Sequence, residues 1–422
     1  MLAELLKSSA DSGLKKKRGH FTRGGPIQPD LLVTLLLYLV ADGGRRGYRH
    51  TLDAFWDEAK RSGLTLPTAE PVSAAAFCKA RRKLKPQAIR GLLHDVAHQF
   101  ERDHGKQHRF AGRRVLAIDS SKISVQRSPE LFAEFGRATC SLTPQISVNV
   151  LFDVISKTPL DASIAPFSSD ERDHVSLFLA HLRPGDVLVL DRGYPSYALL
   201  HQLKSLGIDF VVRVPTKNGF TGIAEFVKSG RLDQQLVLDG KKNQSEQPLE
   251  LRAIRSCDPQ GHPWVLVTTL HRSEFSPTKI RELYARRWQI ELFFRLEKGD
   301  YLGHHQFHAR TPDGVRQELF GLLLFVALTR HLMASAARIH RVTYVEISQK
   351  GAILAVSRRL VDLLLEKHPV HARQLLADLL HRVQSRLDKP RPGRSFPRRS
   401  FRPRPRWNSD GRFGGNDYGT IG

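Results

Sequence analysis

The chain has 422 residues, 41% of them hydrophobic, which excludes wholesale disorder and suggests two or three domains. Lysine and arginine number 66 against 42 acids, a net charge of +24. That surplus opposes folding unless a polyanion offsets it, which ranks nucleic acid above an anionic membrane as partner. Three dispersed cysteines, Cys78, Cys140 and Cys257, exclude a disulfide framework or a cysteine-built zinc finger and fit a reducing cytoplasm.

Residues 1–26 are polar and basic, with Lys15-Lys16-Lys17-Arg18 but no apolar run and cleavage site in signal-peptide order. From Pro29 to His104 the pattern is helical, with segments at 31–41, 51–62 and 73–84 and a Gly43-Gly44 break. The cluster Ala80-Arg81-Arg82-Lys83-Leu84 is either a solvated face or a DNA contact. The apolar runs 31–41 and 319–328 fall short of the roughly 20 residues that cross a bilayer, so both read as buried core helices. The expectation is a soluble protein, cytoplasmic and nucleoid-associated, with no membrane partner.

Near Arg113 the texture changes. Val115-Leu116-Ala117-Ile118 is a buried-strand pattern ended by Asp119. Runs 146–154 and 160–165 flank a Ser156-Lys157-Thr158-Pro159 turn, predicting two antiparallel strands. A helix over 174–182, a buried strand Val187-Leu188-Val189-Leu190 closed by Asp191, and a helix over 197–206 follow. The order matches a ribonuclease-H-like core by analogy. Strand-like runs at 210–214, 235–238, 249–254 and 264–270 suggest a β-rich insertion, before helices return from Pro277.

The fold class expected is α/β, a ribonuclease-H-like catalytic core interrupted by a β-rich insertion, with helical N- and C-terminal regions. The regions are 1–106 (helical, DNA-binding), 107–207 (first part of the core), 208–276 (insertion), 277–345 (second part), 346–388 (helical) and 389–422. The last is Arg/Pro/Ser/Gly-rich, as in Arg402-Pro403-Arg404-Pro405-Arg406, and reads as a disordered cationic arm.

The densest signal is Tyr284, Arg287, Glu291 and Lys298. At about 100° per residue they share one face of a single helix, within roughly 60°. One carboxylate among two cations and a phenol suits a metal ion beside a phosphate backbone, with surface ion pairing as the plain alternative. Asp119 and Asp191, each ending a buried strand, would complete a hard-oxygen cage for divalent ions.

Tyr-x2-Arg-x3-Glu-x6-Lys, met by Tyr284, Arg287, Glu291 and Lys298, resembles the signature of IS4-type DDE transposases. Ala117-Ile118-Asp119-Ser120-Ser121 and Val189-Leu190-Asp191-Arg192-Gly193-Tyr194 resemble that family's two aspartate blocks. Arg310-Thr311-Pro312-Asp313, followed by Val315-Arg316-Gln317-Glu318-Leu319, also matches. The similarity runs from Val115 to Ala337. Any single block is weak, but together and in order they are specific.

The resemblance implies metal-dependent cut-and-paste transposition of an insertion sequence through strand nicking, hairpin formation and strand transfer. Asp119, Asp191 and Glu291 would be catalytic and bind Mg²⁺ or Mn²⁺. Tyr284, Arg287 and Lys298 would grip DNA. The partners implied are double-stranded DNA, as terminal inverted repeats and target, and a second copy of the chain as a homodimer in the DNA complex.

Hairpin chemistry calls for an aromatic ring against an extruded base; Trp288, Trp264 and Phe220 are candidates, though core packing reads as the job of each. Glu297 departs from the apolar residue expected before Lys298. The histidines in His304-His305-Gln306-Phe307-His308 read as polar loop residues rather than zinc ligands, and Asp186 as a turn residue. No P-loop is present. The rival readings are a non-catalytic DNA-binding protein derived from a transposase, and a two-carboxylate glycoside hydrolase, which leaves the charge and basic tail unexplained.

Overall fold

The computed structural model describes residues 15–388 apart from 18, 23, 43–45, 140, 217–219, 221, 239–247, 259 and 296–306. Lys298, Glu297, His304, His305 and the arm from Lys389 therefore lie outside the described residues.

The sheet is built around β1 (Val115–Ser124). Val115 and Ala117 enter one apolar cluster, Leu116 and Ile118 the other. A strand covered on both faces needs such an unbroken apolar run. β2 (Gln145–Asp153) and β3 (Thr158–Pro166) pair antiparallel in succession, with Lys157 at φ 58° in the turn between them. On the other side of β1, β4 (Val187–Leu190) and β5 (Asp209–Val214) run parallel to it. Three antiparallel strands followed by two parallel to the first form the ribonuclease-H-like order.

The sheet does not stop at residue 208. Residues 210–214, grouped above with the insertion, are part of the fifth core strand. β6 (Asp233–Leu238), β7 (Leu249–Cys257) and β8 (Pro263–Thr268) extend the same sheet in the order β3-β2-β1-β4-β5-β8-β7-β6. β8 pairs antiparallel with β5 from Val211↔Thr268 to Val214↔Val265, covering an edge whose backbone groups would otherwise lack partners. The segment Glu171–His181, expected as an α-helix over 174–182, is a 3-10 run. Its buried residues, Val175 and Phe178, are three apart, the repeat that suits three residues per turn.

Helices α1 (Pro29–Ala41), α2 (Tyr48–Arg61), α3 (Ala74–Arg82) and α4 (Pro86–His104) precede the sheet. Inserted among the strands are α5 (Pro129–Phe135), α6 (Tyr197–Ser205) and α7 (Ile223–Lys228). After them come α8 (Pro277–Ala285), α9 (Trp288–Arg295), α10 (Pro312–His340), α11 (Gln349–Ser357), α12 (Leu360–Leu365) and α13 (Pro369–Gln384). The run read at 319–328 proves to be the middle of the 29-residue α10. By length and composition alone α10 could cross a membrane, but 89% of its apolar window is buried. It packs against α1, α4, α13 and β3, so protein rather than lipid covers it.

Arg81 belongs neither to a solvated face nor to a DNA contact. It is 5% exposed, its Nη1 donates to Glu318 Oε1 at 2.7 Å, its Nε to Gln317 Oε1 at 3.1 Å and its Nη2 to the Gly314 carbonyl at 2.8 Å. Tyr48 donates to the same Glu318 oxygen at 2.9 Å and the His308 amide to the other at 2.8 Å. Burial alone would raise the Glu318 pKa, but Arg81 overrides it and holds the carboxylate below its ordinary range. The network locks α2 and α3 onto α10. Asp186 is more than a turn residue: it is 5% exposed and accepts from Arg114 Nε at 2.9 Å.

Candidate active site

The sheet register brings Asp119 and Asp191 side by side. Ala117 pairs with Val189 in the parallel β1–β4 ladder, so the two aspartates fall at matching positions two residues further on. Side chains alternate along strands, and Ala117 and Val189 both enter the larger apolar cluster. Asp119 and Asp191 therefore address the same sheet face, the one covered by α8 and α9.

Those helices are anchored by their apolar sides. Ile280, Leu283, Ile290 and Phe293 are all buried in that cluster, and the Phe293 ring lies 5.0 Å from Phe152 on β2. Arg287 is left facing Asp119, with Glu291 beside it. Asp119, expected to end its strand, lies inside β1, which stays paired to β2 as far as Ser124. The expectation of one continuous helix is corrected here. α8 ends at Ala285 and α9 begins at Trp288, with a tight turn at Arg286 and Arg287 whose amides bond to Leu283 and Tyr284 carbonyls at 3.0 Å. These i→i−3 bonds wind the chain faster than an α-helix, so Tyr284 and Glu291 do not share one ideal face.

Five of the six sequence-predicted residues are described, and they meet. Tyr284 donates to Asp191 Oδ1 at 3.2 Å. Arg287 Nη2 is hydrogen-bonded to Glu291 Oε1, and its Nη1 lies 3.9 Å from Asp119 Oδ2. The Ser120 amide donates to Asp119 Oδ1 at 2.9 Å. Tyr284 and Arg287 thus contact the acids. Among the described residues, the groups whose metal-ligating atoms all lie within 4.8 Å of one another are elsewhere; at this site Arg287 stands among the carboxylates as their counter-ion.

Burial raises the Asp119 pKa to about 6, opposed by the Ser120 amide and Arg287 and reinforced by Glu291 and Glu171. Because the folded value lies above the unfolded one of about 3.9, stability from this group is present below pH ~4 and lost as pH rises through 6. In buffer free of divalent cations, Asp119→Asn should remove a pH-dependent loss of about 3 kcal/mol between those limits, read by urea unfolding. Equal pH slopes in variant and parent would contradict this.

Two neighbours escaped the sequence reading of the site. Tyr194 is 2% exposed, and burial raises its phenol pKa, with Asp119, Glu171 and Asp191 adding to the effect. Its place three residues after Asp191 was the available signal. Glu171, on the 3-10 run, has no motif around it and is brought near Asp119 by tertiary packing alone. Of the aromatic candidates, Trp288 is not a core residue: it is 42% exposed, with the Arg295 guanidinium 5.8 Å from its ring centre. Trp264 is packed 6.2 Å from Tyr284.

A family model described as a transposase DDE domain matches residues 110–328. The transposase InsG for insertion sequence element IS4 of Escherichia coli (strain K12) is 25% identical over 289 residues, covering 66% of this chain and 65% of that protein. The putative transposase y4zB of Sinorhizobium fredii (strain NBRC 101917 / NGR234) is 28% identical over 246 residues, covering 56% and 65%. The chain therefore spans slightly less than two thirds of these relatives' length. Among solved structures, a piggyBac transposase synaptic complex with hairpin DNA has a TM-score of 0.45 at 13% identity, covering 90% of this chain and 81% of that one. With the family model matching more than half its length, the chain belongs to the transposase DDE domain family.

Proposed function

We propose that this chain is a DNA transposase that cuts and rejoins phosphodiester bonds with Asp119, Asp191 and Glu291 as its catalytic acids. The observation carrying this reading is the convergence of one aspartate within β1, one directly after β4 and one helix glutamate, from separate parts of the chain, around Arg287. The donor set is all carboxylate, a hard-oxygen set that fits Mg²⁺ or Mn²⁺. When bound, such ions stabilise the entering and departing oxygens of an in-line displacement.

The chain's own residues would do the rest. Asp119 and Asp191 present carboxylates from rigid neighbouring strands, and Tyr284 orients Asp191 through its hydroxyl. Arg287 neutralises the acids until DNA arrives, when its guanidinium can exchange a carboxylate for a phosphate oxygen. Lys298 would add a second phosphate contact, and the exposed Trp288 offers a face for an unstacked base. Hydrolysis would free a 3′-hydroxyl. Its attack on the opposite strand's phosphodiester would form the hairpin bond as the bond to flanking DNA breaks, the flank leaving as a 3′-hydroxyl. Water would then open the hairpin, and the regenerated 3′-hydroxyl would displace a 3′-oxygen in target DNA. Pairing two ends would call for a homodimer on DNA, and a protein acting on DNA would work at the nucleoid.

The decisive assay uses the full chain with DNA carrying the inverted repeats that flank its coding sequence. Strand nicks at the repeat ends, appearing with Mg²⁺ and absent with chelator, are expected. Binding without cleavage under either metal would favour a non-catalytic DNA-binding protein. The arginine-rich segment from Lys389 should add sequence-indifferent affinity, so its deletion should flatten the slope of log affinity against log salt. An unchanged slope would reject that role.

A further inference from the structure

A second cluster of ligating side chains lies away from the acids. Asp161 on β3 is fully buried, beside a register shift in the β2–β3 ladder that re-aims side chains. Its Oδ1 accepts from Arg90 Nε at 2.7 Å and from the Ala162 amide at 2.8 Å, and Arg90 Nη2 bonds to Oδ2. Two imidazoles converge on the same carboxylate: His94 Nε2 of α4 lies 3.0 Å from Oδ1, and His181 Nε2, closing the 3-10 run, lies 2.9 Å from Oδ2. The two rings are 4.8 Å apart, and one ligand atom from each of the three residues lies within 4.8 Å of the others.

Arg90 and the Ala162 amide already fill the two lone pairs of Oδ1. His94 Nε2 is accordingly buried without a hydrogen-bond partner, despite its 3.0 Å approach. A carboxylate held ionised, with two imidazole nitrogens gathered on it, is the donor set of a zinc site. Arg90 then acts as the outer hydrogen-bonding group that orients a ligating carboxylate. His98, one turn after His94 on α4, lines the adjoining cavity of about 270 Å³ together with both histidines, and water in that cavity can supply a fourth ligand.

We propose that His94, Asp161 and His181 bind one zinc ion that ties the N-terminal helical region to the edge of the catalytic sheet. The ligands come from α4, β3 and the 3-10 run, so the ion would cross-link three elements and stabilise the folded chain by mass action. This site is independent of Asp119, Asp191 and Glu291.

The test uses the metal-free full chain titrated with Co²⁺, whose visible absorption distinguishes a tetrahedral nitrogen-containing site from octahedral oxygen coordination. One equivalent should give the tetrahedral band, Zn²⁺ should displace it, and Asp191→Asn should leave it unchanged. His94→Gln and His181→Gln, both at partly exposed positions, should each weaken binding at least about tenfold and abolish the rise in melting temperature that Zn²⁺ gives the parent. If one variant does not fold, the other decides. No tetrahedral band in the parent, or an undiminished band in either folded variant, overturns the proposal, whatever the outcome of the cleavage assay.

Discussion

Asp191→Asn should lower Mg²⁺-dependent strand cleavage by at least about a thousandfold while binding to the repeat ends stays within about twofold. The amide has the shape of the acid, and its carbonyl can still accept the 3.2 Å hydrogen bond from Tyr284, so the strand end and α8 keep their contact. What disappears is the negative charge, the property a divalent cation requires of its ligand. Tyr284→Phe should be milder, about tenfold in cleavage, since it removes one hydrogen bond and leaves the carboxylate. Cleavage by Asp191→Asn at near the parental rate would remove this aspartate from the catalytic set. A large loss of end binding would show that its part is in holding DNA.

Glu318→Ala should be the most damaging single change to stability, at about 3–5 kcal/mol by urea unfolding. Arg81 and Glu318 are 5% and 0% exposed, so removing the carboxylate strands a buried guanidinium and takes the acceptor from Tyr48 and from the His308 amide. Glu318→Gln keeps an acceptor and the volume, and should cost about half as much. Because these bonds join α2 and α3 to α10, the loss should appear as one cooperative transition at lower urea. A loss below about 1 kcal/mol would mean that this network does not hold the two regions together.

These residues mark where the linear text runs out. Arg81 read as one member of a basic cluster because local charge counting cannot see Glu318, 237 residues away. Trp288 read as core because aromatic residues usually are, yet Ile290, Phe293 and Phe294 anchor α9 and leave that ring outside. The helix break at Arg286 and Arg287 was equally hidden, since neither glycine nor proline marks it and the turn is made by a change in backbone hydrogen bonding. Residues 210–214 were assigned to the insertion because a strand carries no local mark of which neighbour it will pair with.

Apolar periodicity was enough to determine the first four core strands, the aspartates on β1 and after β4, and the glutamate-bearing helix, because burial on both sheet faces demands unbroken hydrophobic runs. It did not show that β1 runs on past Asp119 to Ser124. Only the tertiary structure decided that Arg287 stands among the carboxylates, that Glu171 and Tyr194 border them, and that His94 and His181 meet at Asp161. Each of those is a long-range pairing, set by how sheet register and helix packing close in three dimensions, and no local run of residues encodes it.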